Sequence, residues 1–359
     1  MRGALTLARR GLGRVAPNPA VGCVIARDGK VLGRGWTQPG GRPHAETEAL
    51  ARAGAAAEGA TAYVTLEPCS HHGKTPPCDK ALIAAGIARC VIALEDPDPR
   101  VAGQGIAHLK AAGVAVELGL CRAEAEAVNA GYLLQRREGR PLVALKLATT
   151  LDGRIATAAG ESKWITGEAA RARAHLLRAR HDAVLVGAGT ALADDPRLDV
   201  RLPGLEAVRP LRVVLDGSLR LPPSHDLVAQ AGSRPSCLVT GADLAEARLA
   251  PYRDAGLRIL QVGRDPRGRL DLPEALRALG GLGLTRILVE GGGRLAAGLL
   301  KTGLVDELYW FRAAKVIGGD GRPAVGELGL QKLAAAPGFA RLGLETLGGD
   351  VLETFRRSA

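Results

Sequence analysis

Apolar and polar positions along the first part of the chain fall into short blocks whose period switches between two and three to four residues. Residues 21–26 and 31–35 are apolar runs on either side of Asp28-Gly29, the dipeptide of a tight hairpin turn. Residues 46–57 carry a helical pattern, 62–66 a compact strand, 79–85 a helix, 90–94 a strand, 104–112 a helix and 114–118 a strand. Strand and helix in alternation predict an α/β layer. A polar helical stretch at 123–138 is broken by Glu138-Gly139-Arg140-Pro141, and a new apolar run starts at Leu142, which places a domain boundary there. The second half resumes the alternation, with helix 168–180, strands at 183–186, 211–215, 236–239 and 257–262, helix 273–279 and strand 285–289. A glycine-rich turn, a helix to about residue 302 and late strands near 306–314 and 351–356 complete it. Residues 202–210 and 263–270 are expected to be loosely ordered. No internal repeat or low-complexity tract is evident.

A length of 359 residues exceeds one ordinary core and supports two domains. The apolar fraction of 47% and charged fraction of 24% are those of a folded protein without a membrane partner, and no run approaches eighteen apolar residues. Residues 1–14 have scattered arginines and neither an apolar core nor a cleavage site, so no secretory signal is read and the cytoplasm is expected. The net charge of +11 raises the question of a nucleic-acid partner. Only nine of the 48 basic residues are Lys, the basic clusters are short, and aromatics are 3%. No nucleic-acid partner is therefore expected, and a phosphorylated small molecule fits the charge better. Six cysteines are too sparse for a disulfide framework. Cys23, Cys90, Cys121 and Cys237 read as packing residues.

The sharpest chemical signal is His44-Ala45-Glu46 followed by Pro68-Cys69 and Cys78. One imidazole and two thiolates make a soft donor set suited to zinc, and three protein ligands leave a fourth position open for water, as in catalytic sites. Glu46, two residues from His44, is the expected proton carrier. Zinc-dependent nucleobase deaminases use this pairing of H-x-E with P-C-x-x-C. Here residues 70–77, Ser-His-His-Gly-Lys-Thr-Pro-Pro, separate the two cysteines instead of two residues. This polar insert is expected to form a loop beside the metal, with groups suited to a phosphate or a sugar. His71 or His72 is the alternative to His44 as the imidazole ligand.

These residues resemble a known family. APNPAVGCVI (16–25), HAETEAL (44–50), GATAYVTLEPCSHHGKTPPC (59–78) and DPDPRVAGQGI (96–106) closely resemble the bifunctional deaminase/reductase of bacterial riboflavin biosynthesis. So do LKLATTLDGRIAT (145–157), ESKWITG (161–167), GAGTALADDPRL (187–198) and LVEGGGRLAAGLL (288–300) in the second half. The resemblance covers practically the whole chain, in order. It implies a cytidine-deaminase-like α/β/α domain over residues 1–140 and a dihydrofolate-reductase-like α/β domain over 141–359. It further implies Zn2+ on His44, Cys69 and Cys78, proton transfer by Glu46, and contact of Asn18 with the pyrimidine. Two departures stand out: Val15 occupies a position where Thr is usual, and the family commonly has several residues before the position of Met1, so a late start is expected.

In the second half, Val289-Glu290-Gly291-Gly292-Gly293 closes an apolar run and opens a helix, where glycines let a phosphate approach the helix N-terminus. Gly187-Ala188-Gly189-Thr190 resembles a dinucleotide turn but lacks the third glycine, which disfavours a Rossmann fold. The resemblance implies that NADPH contacts Ala148, Trp164, Thr190, Asp194, Gly217 and Gly291 to Gly293. It also implies that Ser162, Arg178, Leu198, Arg201 and Glu290 contact substrate. Gly217 stands where Ser is common, so Ser218 is the candidate replacement hydroxyl. Arg178 and Arg201 have forked donors that can grip a ribose phosphate, Trp164 offers a flat face to a ring, and Lys146 and Asp194 are candidate proton carriers. The substrate expected is a phosphorylated ribosylaminopyrimidine, and a homo-oligomer, dimer or tetramer, is expected. Two other classes remain open on sequence: a nucleic-acid base editor, which strongly salt-dependent RNA binding would reveal, and a non-catalytic regulator with a structural zinc. The long insert opposes the first and the presence of Glu46 opposes the second.

Overall fold

The structure, a computed structural model, describes residues 1–71 and 76–358. They form two compact units, Met1–Gly139 and Arg140–Ala359.

The first unit is built on helices α1 (Arg2–Ala8), α2 (Ala45–Ala53), α3 (Cys78–Ala84), α4 (Gln104–Ala111) and α5 (Arg122–Glu138). Its strands are β1 (Gly22–Arg27), β2 (Lys30–Trp36), β3 (Thr61–Val64), β4 (Arg89–Ile92) and β5 (Ala115–Leu118), in the order β2-β1-β3-β4-β5. The β1/β2 hairpin turns at Asp28-Gly29, where both residues have positive φ, 51° and 74°, as that dipeptide favours. β3, β4 and β5 are parallel, joined through α3 and α4. The register pairs Cys23 with Gly35 and Gly22 with Trp36, so each pair shares a face of the sheet. A Cβ on Gly35 would lie 2.1 Å from the Ala45 carbonyl oxygen of α2, and one on Gly22 would lie 1.9 Å from that of Ala4 in α1. The two helices therefore cover opposite faces, giving three layers. The glycine at position 35 lets α2, which carries Glu46, lie directly on the strand.

The second unit has a nine-stranded sheet. Its strands are β6 (Leu142–Thr149), β8 (Ala183–Gly187), β9 (Leu211–Leu215), β10 (Ser236–Gly241), β11 (Arg258–Val262), β12 (Arg286–Glu290), β13 (Glu307–Ala313), β15 (Phe339–Leu347) and β16 (Asp350–Arg357). They lie in the order β11-β10-β9-β8-β12-β6-β13-β16-β15, and β7 (Arg154–Ala156) pairs separately with β14 (Arg322–Pro323). The seven strands from β11 to β13 are parallel, and β16 and β15 add an antiparallel hairpin. The central strands β10, β9, β8, β12 and β6 are buried on both faces and read as largely apolar runs. Alternate residues divide between two cores: Ala183 and Leu185 join Val143 and Leu145, whereas Val184 and Val186 join Val214 and Leu238. The helices are α6 (Glu168–Ala179), α7 (Ala188–Asp194), α8 (Asp226–Ala229), α9 (Glu246–Asp254), α10 (Leu272–Gly281) and α11 (Gly293–Lys301).

The mixed α/β architecture expected from the sequence is present in both units. Several local expectations are corrected. Of residues 187–190, read as a turn, Gly187 ends β8 and the other three open α7. Residues 263–270 are ordered, not loose: Arg264 and Leu270 form a bridge, and the Asp265 carboxylate accepts the N–H groups of Arg267 and Arg269, each at 2.9 Å. Residues 202–210 are likewise pinned, since Leu202, Leu205 and Val208 pack with Ala179 and Val200. Cys23, Cys90 and Cys237 are buried as expected, and Cys121 is half-buried ahead of α5.

Candidate active sites

In the first unit, His44 immediately precedes α2 and Cys78 is the first residue of α3, while Cys69 sits on the loop after β3. Two helix N-termini thus meet at the site, and their positive ends favour the anionic groups there. His44 Nδ1 lies 3.6 Å from Cys69 Sγ and 3.3 Å from Cys78 Sγ, and the three donor atoms all lie within 4.8 Å of one another. Tetrahedral bonds of about 2.3 Å to sulfur and about 2.0 Å to nitrogen would hold nitrogen and sulfur about 3.5 Å apart, so the donor set fits zinc. Among the described residues no other group of three such side chains converges. His71 lies outside the triad, and His72, with residues 73–75 of the insert, falls outside the described residues.

The electrostatics point the same way. A hydrogen bond from Cys78, then His44, holds the Cys69 thiol down at about 4, whereas the hydrogen bond to Cys69 and burial push Cys78 well up. The protein alone thus favours one thiolate, and a divalent cation is what would ionise the second. The hydrogen bond to Cys69 raises His44. Glu46 is 3% exposed and faces the cysteines; burial, then the charge on Cys69, push its carboxyl up to about 7. A buried carboxyl titrating near neutrality can both accept and release a proton. Asn18 lies on the loop before β1, with its side chain so close to Gly41 that a Cβ there would sit 1.7 Å from Asn18 Nδ2. Gly41 has a φ of 83°, which leaves glycine as the residue that fits. Val15 packs in the apolar core.

In the second unit Ala148 lies near the carboxyl end of β6, Glu290 to Gly293 at that of β12 and Thr190 in the helix that follows β8, and these three strands are neighbours. From β8 the chain moves outward to β11 and then returns to β12, and α7 and α11 pack into different cores. This reversal of strand order opens a crevice of the kind that binds nucleotides. Gly291 and Gly292 have φ of 93° and 90°, and Cβ atoms there would lie 3.3 and 3.4 Å from Thr190. Gly293 opens α11, so the glycine turn exposes backbone N–H groups and fits a phosphate of NADPH.

Glu290 ends β12 and accepts Nε and Nη2 of Arg178 at 2.5 and 2.9 Å, while Arg178 Nη1 donates to the Asp199 carbonyl at 2.9 Å. Burial alone would raise the Glu290 carboxyl, but Arg178 and then Lys146 override it and hold it at about 2. Lys146 lies beside Glu290 in the register and over the Phe311 ring at 5.7 Å, and burial lowers its ammonium. Arg201 and Arg197 both pair with the Asp199 carboxylate. Three of the five N–H donors of Arg178 are thus taken by Glu290 and Asp199, and the half-exposed Arg201 is the more available of the two expected phosphate donors. Trp164 is 62% exposed, with one face under Arg171 at 4.7 Å and its carbonyl held by Lys315 Nζ at 2.8 Å. Ala148 lies near the end of β6 and Ser162 in the loop before α6; Asp194 ends α7, exposed. Gly217 follows β9, its carbonyl accepting Arg264 at 2.8 Å. The Leu198 side chain is buried in the core, so only its backbone, at φ 49°, can face a ligand.

Residues 1–94 match the family described as the cytidine and deoxycytidylate deaminase zinc-binding region, and residues 141–352 match the RibD C-terminal domain. Fold and site together define a bifunctional enzyme, a zinc-dependent deaminase joined to a reductase. The riboflavin biosynthesis protein RibD of Escherichia coli K12 is 45% identical over 362 residues, covering 98% of this chain and 96% of that protein. That of Aquifex aeolicus is 39% identical over 357 residues, covering 99% and 97%. The solved Acinetobacter baumannii RibD, form 1, superposes with a TM-score of 0.89 at 38% identity, covering 100% of this chain and 98% of that one. A Thermotoga maritima diaminohydroxyphosphoribosylaminopyrimidine deaminase/5-amino-6-(5-phosphoribosylamino)uracil reductase gives 0.86 at 34% identity, covering 100% and 97%. The chain belongs to the RibD family, the bifunctional deaminase/reductases of riboflavin biosynthesis.

Sequence reasoning left Glu67, Asp79 and Asp199 without a role. Glu67 lies inside the quoted cysteine motif and Asp79 directly follows it, and burial of two acidic residues beside the triad is a signal only the fold provides.

Proposed function

We propose that residues 1–140 hydrolyse the amino group of 2,5-diamino-6-ribosylamino-4(3H)-pyrimidinone 5′-phosphate. In this reading residues 141–359 then reduce the ribosyl group of the product to ribityl with NADPH. The observation that carries the reading is the convergence of His44, Cys69 and Cys78 around the buried Glu46. Zinc, when bound by the triad, supplies a Lewis acid that makes water nucleophilic near neutral pH. Glu46 takes the proton of the attacking water and delivers it to the departing amino nitrogen, and ammonia leaves. Asn18, wedged against Gly41, orients the pyrimidine. In the second unit NADPH supplies the hydride. Gly291 to Gly293 would hold its phosphates, and Ala148, Trp164, Thr190, Asp194 and Gly217 would line the rest of its site. Glu290, Arg178, Ser162 and the backbone at Leu198 hold the ribosyl substrate, and Arg201 takes its phosphate.

No helix among the described residues is long and apolar enough to cross a membrane. The reading places the chain in the cytoplasm, without a nucleic-acid partner, as a homo-oligomer. Exposed Leu333, Leu342 and Leu344, at 92%, 53% and 60%, support a face covered by a second copy. The test is Glu46→Gln: deaminase turnover should fall by about 10²- to 10⁴-fold, with zinc content and reductase turnover unchanged. Unchanged deamination would refute the proton-transfer role.

A further inference from the structure

Helix α4 contributes no side chain to the triad, yet both cysteine-bearing segments are tied to it. On the Cys69 side, Glu67 is 3% exposed and turns its carboxylate onto the start of α4. Its Oε2 accepts the N–H of Gly103 at 3.0 Å and of Asp96 at 3.2 Å, and its Oε1 accepts that of Ile106 at 3.1 Å. The carboxylate thus caps α4 from another segment, where the helix dipole favours it. Gly105 packs so tightly on the next residue that a Cβ there would lie 2.1 Å from the Pro68 carbonyl oxygen. On the Cys78 side, Asp79 is fully buried, and its Oδ2 pairs with His108 Nδ1 at 2.7 Å. Residues 103, 105, 106 and 108 therefore hold the neighbours of both sulfur ligands from one short stretch of helix.

We propose that α4 is a brace that fixes the separation of the Cys69 and Cys78 sulfurs. Glu67, Gly105 and the Asp79–His108 pair are its positioning residues. Zinc affinity depends on ligands that are already in place, and contacts behind the ligands supply that order. Glu67 acts through Pro68 on Cys69, and His108 acts through Asp79 on Cys78. A Gln at position 67 would turn an amide N–H toward backbone donors and leave one of them unpaired. The inference rests on the zinc reading of the triad.

The test uses the whole zinc-loaded chain and compares the parent with Glu67→Gln, Gly105→Ala and His108→Gln. Three quantities are read: zinc release to excess chromogenic chelator, the visible spectrum of the cobalt-substituted protein, and reductase turnover. Glu67→Gln and Gly105→Ala should release zinc about 10- to 100-fold faster, with altered cobalt ligand-field bands and unchanged reductase turnover. Release close to the parental rate in both, with an unchanged cobalt spectrum, overturns the brace. If either variant also loses reductase turnover, His108→Gln decides, because its half-exposed ring can change without opening the core. Faster release from it supports the brace, and parental release overturns it. A parent that binds no zinc at all would instead refute the metal reading.

Discussion

The Arg178–Glu290 pair gives the second unit a stability that depends on charge, and Glu290→Gln removes that charge with little change of shape. The Glu290 side chain is 10% exposed and its partner's 15%, so solvent screens the pair weakly. The carboxyl is displaced from 4.5 to about 2. At about 1.4 kcal/mol per unit, this corresponds to about 3 kcal/mol of stability at neutral pH. A depressed carboxyl contributes fully above its unfolded value and loses the contribution as pH falls through the folded one. The window is therefore 4.5 down to about 2, and at pH 3 the same linkage leaves about 1.4 kcal/mol. Urea unfolding of the parent and Glu290→Gln at pH 7 and pH 3 measures both values. Trp310, bonded to Thr149 at 2.9 Å, is a fluorescent reporter of the second unit, along with the exposed Trp164. The variant should lose about 3 kcal/mol at pH 7 and about half of that at pH 3. A loss below about 1 kcal/mol at pH 7, or equal losses at both pH values, would refute the reasoning.

Arg201→Ala should raise the reductase KM for the deaminated intermediate about tenfold, the loss of one charge-assisted contact, and leave deamination untouched. Steady-state kinetics of each half-reaction measures this, and equal effects on both activities would count against separate sites. Gly41→Ala should drive the Asn18 side chain from its place, since the new Cβ would fall 1.7 Å from Nδ2. The deaminase KM should rise about tenfold, as expected for one lost polar contact, at unchanged zinc content. An unaltered KM would remove Asn18 from pyrimidine recognition.

The convergence of His44, Cys69 and Cys78 was legible because H-x-E and the two cysteines are rare donor types in a fixed order, and the chemistry of those donors suggests their use. The alternation of β3, α3, β4, α4 and β5 was legible for a different reason, the sharp change of hydrophobic period between buried strands and amphipathic helices. β15 escaped because seven of its nine residues are exposed and a bulge breaks its alternation near Arg341. α9 was hidden by Pro251 within it. The order of residues 263–270 comes from the Asp265 carboxylate on nearby backbone N–H groups, which hydropathy does not register. In the reductase site the residues were recognised singly by motif, but their relations were not. Arg178 and Glu290 are 112 residues apart in the chain, and only the sheet order brings them together, so the expectation that Arg178 grips phosphate overlooked its internal partner. Glu67 was visible inside the cysteine motif, yet its three backbone partners lie 29 to 39 residues away.

The most direct test of two separate chemistries on one chain is a paired assay on the purified protein. It follows ammonia release from the diaminopyrimidine ribotide and NADPH oxidation, with and without a zinc chelator. Chelation should abolish ammonia release, while NADPH is still oxidised when the deaminated intermediate is supplied. Ammonia release that survives complete removal of zinc would contradict the account at its centre.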